Sequence, residues 1–182
     1  MDLAQYLTGQ LISGVSGVAA TFVPERPLPG GGDRTGRVTV DDAVAFTARL
    51  ESGALATFEA TRFASGRKNA LRIEVYGARG SFAFDLERLN ELEFCDNTED
   101  SVTAGFRRIL VTEPGHPYLS AWWPPGHVLG WEHTFTHQVR DLVLAIDQGA
   151  DPEPSFAAGL QVQHVLAAVS ASAAQDGRWT PV

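Results

Sequence analysis

An α+β fold, with a large and mostly antiparallel open sheet and helices packed on one face, is what this sequence predicts, on three observations. Residues 38–112 alternate apolar and polar side chains between short turns, the period-two signature of half-buried strands in a meander. From residue 132 onward the apolar spacing changes to that of helices. A length of 182 residues, 44% hydrophobic and 20% charged, suffices for one globular domain with a sizeable core.

Element by element, the chain opens on MDLAQYLTG, where Asp2, Leu3, Tyr6 and Leu7 follow helical spacing and Gly9 reads as a C-terminal cap. Only Asp2 is available to cap its start, so it reads as the middle of a helix. LISGVSGVAATFV leans to strand. PERPLPGGGDRTGR, with three prolines and a triple glycine, reads as a long loop, an arm that is mobile or touches a partner. In VTVDDAVAFTARL, Val44, Phe46 and Leu50 share one face and Thr47 and Arg49 the other; ESG at 51–53 turns the chain into ALATFEATRF. LRIEVYG, SFAFDL, NELEFCD and FRRILVTE continue the pattern, with Leu71, Ile73 and Val75, then Phe82, Phe84 and Leu86, each lining one side. EHTFTHQVRDLVLAIDQG carries a helical stripe of Phe135, Val139, Leu142, Val143 and Ile146 and stops at Gly149. The last helix is capped by Ser155 and places Leu160, Val165, Leu166 and Val169 along one side.

Composition removes several classes of function. A net charge of -8 and a pI near 5.0 argue against nucleic acid and anionic membranes as partners, since both need a basic surface. No apolar run reads as a membrane span and no secretory signal is visible. The lone Cys95 forms no internal disulfide or CxxC pattern, so a cytoplasmic location is expected.

Few motifs carry chemistry. His133 and His137 have the i, i+4 spacing of two zinc ligands, but HTFTH lacks the glutamate of HExxH and no third ligand is obvious; no metal site is predicted. PGGGD at 29–33 opens no helix and reads as a loop rather than a phosphate cradle, and YGARG at 76–80 is a hairpin turn. HPYLSAWWPPGHVLGW is richer. Trp122, His127 and Trp131 crowd there with Trp123 and His116 just before a helix, and aromatics on a loop are costly unless they pack or bind. Two readings stand side by side: the lining of a sugar-like ligand site, or packing beneath the loop or in a subunit contact. Arg62, Arg67 and Lys68, at a strand end and turn, suit either an anionic or polyhydroxyl ligand or plain solvent.

The ordered pieces DLAQYLTG, VDDAVAFTARLESGALATFEATR, LRIEVYGARGSFAFDLERLNELEF and GWEHTFTHQVRDLVLAIDQGADPEPSFAAGLQVQHVLAAVSASAAQDGRW together resemble the C-terminal half of the glucose–fructose oxidoreductase / inositol dehydrogenase (Gfo/Idh/MocA) family of NAD(P)-dependent oxidoreductases. The resemblance implies a two-domain enzyme: an N-terminal Rossmann domain for NAD or NADP, and a C-terminal domain that supplies the substrate platform and much of the oligomer interface. It implies that the sheet face away from the helices meets a partner subunit, in a dimer or tetramer, and Leu55, Phe58 and Phe63 would serve that face. Of the family's lysine in an EKP-like motif, its D-x-x-x-H pair and the following helix, only that helix's aspartate has a counterpart, Asp2. The catalytic groups and the glycine fingerprint would lie upstream of Met1.

The expectation is therefore a substrate-binding and oligomerisation domain spanning residues 1–182, inactive alone and without a cofactor site of its own. Its substrate-side candidates are Asp2, Arg62, Lys68, Trp122, His127 and Trp131. Its expected partners are a second copy of itself, a Rossmann domain and a sugar-like small molecule. The competing expectation is a stand-alone, non-catalytic ligand-binding or scaffolding module. A frayed first helix and strong self-association through the sheet are also expected.

Overall fold

The computed structural model of the protein describes residues 1–30 and 32–182; of the loop predicted at 29–33, Gly31 lies outside the described residues. In chain order the elements are α1 (Asp2–Thr8), β1 (Ile12–Ala20), β2 (Glu25–Pro27), β3 (Thr35–Arg37), β4 (Ala43–Leu50), β5 (Leu55–Thr61), β6 (Arg72–Gly77), β7 (Gly80–Asp85), β8 (Glu91–Asp96), β9 (Arg107–Leu110), α2 (Trp131–Gln148), α3 (Phe156–Ala173) and β10 (Thr180–Pro181). The predicted α+β composition with antiparallel pairing holds. The pairing is partitioned, into sheets ordered β10-β1-β4-β5 and β6-β7-β8-β9 and the ribbon β2-β3. The chain divides into two compact units, residues 1–66 with 154–182, and residues 67–153.

The first unit has the fully buried core. Val15 pairs with Ala48 and Gly17 with Phe46 across β1 and β4, and Phe46 pairs with Phe58 across β4 and β5. Directly paired residues point to the same side of a sheet, so Phe58 turns inward and stacks on Phe46 with ring centroids 4.7 Å apart. It is not on the outer face, where the sequence reading placed it beside Leu55 and Phe63. Leu55, paired with Arg49 on the far side, is 78% exposed. Helix α3 closes the core with Val165, Ala168, Val169 and Ser172, positions i, i+3, i+4 and i+7. Leu160 and Leu166, predicted on the same stripe, are exposed, because burial follows the arc that faces β1 rather than the larger side chains.

Small and polar residues set how closely α3 approaches. A Cβ on Gly17 would stand 2.7 Å from Phe46 Cβ and 3.5 Å from Val169 Cγ1. Ser172, fully buried, accepts from the Gly17 N–H at 2.9 Å and donates to the Arg178 carbonyl at 2.7 Å. At the irregular start of β1, Gln5 Oε1 accepts from the Ile12 N–H at 2.9 Å, and Gln161 Nε2 donates to the Ile12 carbonyl at 3.4 Å. Gln5 is thereby the buried residue of α1, whose C-cap Gly9 adopts the left-handed φ of 64°. Helix α3, at 18 residues, does have the length and composition of a membrane span, contrary to the sequence reading. Its stripe against β1 makes it the core helix of this unit.

The segment predicted as a long loop is in part structured. Glu25–Arg37, Arg26–Gly36 and Pro27–Thr35 pair in a short ribbon. Buried Asp42 anchors its base, accepting from the Phe22 N–H at 2.8 Å, the Val23 N–H at 3.0 Å and Arg26 Nη2 at 2.7 Å. Those donors, the backbone N–H of Val23 first, hold the Asp42 carboxyl below the usual carboxylate range.

The second unit is more open. Register places Ile73, Val75, Phe82, Phe84, Leu92, Phe94 and Ile109 on one face of its sheet, and all seven are only half-buried. Helix α2 forms where predicted and ends on Gly149 at φ 63°. Its predicted stripe faces solvent, however, from Leu142 at 46% exposed to Ile146 at 70%, and Ala145 is the helix residue that is buried. Periodicity identifies which side of a helix is apolar; it does not identify what covers that side.

Candidate functional site

Side chains with recognition chemistry gather in the second unit, around the entry to α2. Arg72 Nε holds Asp85 Oδ2 at 2.9 Å, and Asp85 Oδ1 accepts from the Glu87 N–H at 3.0 Å. This capped turn displays Leu86, Glu87 and Leu89. Asn90 then clasps the chain entering α2: its Nδ2 donates to the Leu129 carbonyl at 2.8 Å and its Oδ1 accepts from the Leu129 N–H at 2.9 Å. That clasp fixes Trp131, first residue of α2, whose ring is braced edge-on by Phe135 at 5.0 Å.

The outcome is a hollow of about 270 Å³ lined by Lys68, Asn69, Leu86, Glu87, Leu89 and Trp131. Two leucines and an indole give it an apolar wall, while Lys68, Asn69 and Glu87 give it donors and an acceptor. Arg67 Nη1 lies 3.2 Å from Glu87 Oε2 and orients it, and Lys68 has no ion pair among the described residues. Apolar surface with a few convergent polar groups is the usual make-up of a small-molecule site.

Thus the structure brings together two of the six predicted candidates, Lys68 and Trp131. Trp122 is engaged elsewhere in the same unit, donating through Nε1 to His137 Nε2 at 2.7 Å and packing edge-on to His133 at 4.5 Å. His127 is exposed, its Nδ1 3.0 Å from the Pro124 carbonyl. Asp2, on the first turn of α1, and Arg62, just beyond β5, are exposed residues of the first unit. Asn69 and Glu87 escaped sequence reading, since nothing local marks either; Lys68 was the neighbouring signal.

The two histidines read as a possible zinc pair have other partners. His133 Nδ1 accepts from the N–H of Gly130 at 3.1 Å, a capping contact from the third helical position. His137 accepts from Trp122 and stacks on Tyr118 at 4.4 Å. Burial, with the charge of His133 second, holds His137 below the usual histidine value.

Comparison with known proteins shows what this chain is similar to. The sequence model of the GFO/IDH/MocA C-terminal domain matches residues 1–83. Levoglucosan dehydrogenase of Pseudarthrobacter phenanthrenivorans is 37% identical over 194 residues, taking in all of this chain and 49% of its own length. Among solved structures, an oxidoreductase domain protein from Kribbella flavida superposes with a TM-score of 0.94 at 61% identity, covering the whole chain and 47% of its own. Levoglucosan dehydrogenase in complex with NADH and L-sorbose gives a TM-score of 0.92 at 38% identity, again over the whole chain and 47% of its own. The chain thus spans about half the length of the relatives it matches. In sequence and in fold, the chain is similar to the C-terminal half of these oxidoreductases, and its residues 1–83 match the GFO/IDH/MocA C-terminal domain.

Proposed function

We propose that this chain is the substrate-side and oligomerisation domain of an NAD(P)-dependent oxidoreductase acting on a sugar or polyol, inactive without a cofactor-binding domain. The observation that carries the reading is the hollow beneath Trp131. At about 270 Å³ it lies just below the usual range of small-molecule sites, a size for a monosaccharide rather than a dinucleotide. The C–H face of a sugar ring packs on the indole, and its hydroxyls meet Lys68, Asn69 and Glu87. The whole-chain likeness to levoglucosan dehydrogenase, solved with NADH and levoglucosan, supports the substrate class.

Hydride transfer requires a nicotinamide held against the substrate carbon and an acid or base within hydrogen-bond reach. In this reading both come from a Rossmann domain, and Lys68 and Trp131 bind and orient the substrate. The half-buried apolar face of β6–β9 supports the second role, since a second copy of the chain would cover it.

The test is to read the genomic DNA 5′ of codon 1 and express any joined frame. An in-frame glycine fingerprint and EKP, with NAD(P)-dependent polyol oxidation by the joined protein and none by residues 1–182, is the expected result. A nearby upstream stop codon, with a folded chain, would instead favour a stand-alone binding module. Sedimentation should show self-association at micromolar concentration, and a pure monomer contradicts the oligomerisation role.

A further inference from the structure

We propose that Tyr118, Trp122, His137 and Asp141 form a proton-gated latch that fastens residues 118–122 to α2 when His137 is neutral and frees them when it is charged. The inference is independent of the proposed function. Residues 133, 137 and 141 stand four apart on α2 and so share one side of it. Trp122 reaches this side and donates through Nε1 to His137 Nε2 at 2.7 Å. Tyr118 lies on the same imidazole, with centroids 4.4 Å apart and planes 13° from parallel, and its hydroxyl donates to Asp141 Oδ2 at 2.6 Å.

An indole N–H can only donate, so this hydrogen bond requires a lone pair on His137 Nε2 and the proton on Nδ1. Protonation makes both ring nitrogens donors. Two N–H groups then face each other at hydrogen-bond distance, and the indole must withdraw. Of the other charged or titratable groups facing His137, only Asp141 favours the charged ring, and burial and His133 outweigh it. On its own helix, His133 adds like charge when protonated. Arg140 carries positive charge beside it, with its guanidinium carbon 5.7 Å from the Tyr118 ring. Asp141 already receives the Tyr118 hydroxyl and Arg140 Nη1 at 3.0 Å. From the facing segment, Tyr118 presents its ring to the imidazole.

A second observation shows that the segment is held under tension. Tyr118 has φ 67°, a left-handed conformation that a bulky residue adopts only when its surroundings over-determine it. The stack on His137 and the bond to Asp141 are among the contacts that impose it. Loss of the Trp122 bond removes one of the ties that hold residues 118–122 to the helix.

The experiment follows the four indole N–H resonances and the histidine rings of the full chain by NMR between pH 8 and 5, with Trp122→Phe to assign Trp122. At pH 7.5 the Trp122 N–H should be shifted downfield by its bond, and this shift should disappear with a midpoint below about 6.5. In His137→Gln, whose amide oxygen accepts without titrating, the transition should vanish, whereas His133→Gln should retain it. Persistence of the transition in His137→Gln, or an unchanged Trp122 signal from pH 8 to 5, overturns the latch. Should His137→Gln not fold, the wild-type His137 ring and Trp122 N–H must share one midpoint; different midpoints overturn the proposal equally.

Discussion

Replacing Ser172 by alanine removes the one hydroxyl that ties α3 to both β1 and the C-terminal return. The side chain is fully buried, accepting from the Gly17 N–H and donating to the Arg178 carbonyl. Alanine leaves the Gly17 N–H buried without a partner, a loss of about 1–3 kcal/mol, and removes the hydrogen bond to the Arg178 carbonyl, a further ~0.5–1.5 kcal/mol. Against this, alanine is the better helix former, by about 0.5 kcal/mol. The net expectation is a destabilisation of about 1–4 kcal/mol. The propensity gain can be measured alone at Ser170, an exposed residue whose hydroxyl bonds only the Leu166 carbonyl of its own helix. Urea unfolding of both variants gives the comparison: Ser170→Ala should lie within ~0.5 kcal/mol of wild type. A Ser172→Ala loss below about 0.5 kcal/mol would refute the reasoning, since the buried N–H would then have found water or another acceptor.

Three further predictions follow from the same unit. Gly17→Ala should lower stability by about 1–3 kcal/mol in the same assay, because the new methyl meets Phe46 Cβ at 2.7 Å and that atom is fixed to backbone. Asp42→Asn should lower the thermal midpoint at pH 7 and release the ribbon to proteolysis between residues 24 and 37, since a neutral amide cannot match a carboxylate that accepts from Phe22, Val23 and Arg26. Asp42 also sets a pH dependence. Its carboxyl is held below its unfolded value, so its contribution is complete above about pH 4 and is lost as pH falls through the lower, folded value. Wild type should therefore lose more stability on acidification from pH 5 to 3 than Asp42→Asn does, and equal losses would remove Asp42 from the account.

Much of the fold is legible because its signals are local. Strands β4 to β9 show a period of two, and the turns joining β4 to β5 and β6 to β7 are too short for anything but a hairpin. The end of α2 at Gly149 and the start of α3 at Ser155 follow from single residues with known capping roles. The illegible parts depend on residues distant in sequence. The β2–β3 ribbon has three residues in each strand, and Asp42 anchors it from outside. The closeness of α3 to β1 rests on Gly17 and Ser172, which are 155 positions apart and unremarkable in their own windows. Phe58 faces the core because of its register with Phe46, which an alternation count alone does not supply.

The site was legible in the same uneven way. An aromatic-rich segment before a helix and a basic turn marked Trp131 and Lys68, and these two do meet in one hollow. The same crowding drew attention to Trp122, whose indole is instead committed to His137. The i, i+4 histidines suggested metal ligation, yet the same spacing presents two rings to one facing segment. Residue type and spacing are shared by both outcomes, and the facing partners decide between them.

In the proposed function this chain binds the substrate and leaves the cofactor to another domain. The most direct test of that division is steady-state kinetics of the proposed full-length oxidoreductase carrying Trp131→Ala, with NADH binding measured in parallel. The account predicts that KM for the sugar or polyol rises about tenfold, equivalent to ~1.4 kcal/mol, while the Kd for NADH is unchanged. A variant with unchanged sugar KM and weakened NADH binding would contradict it.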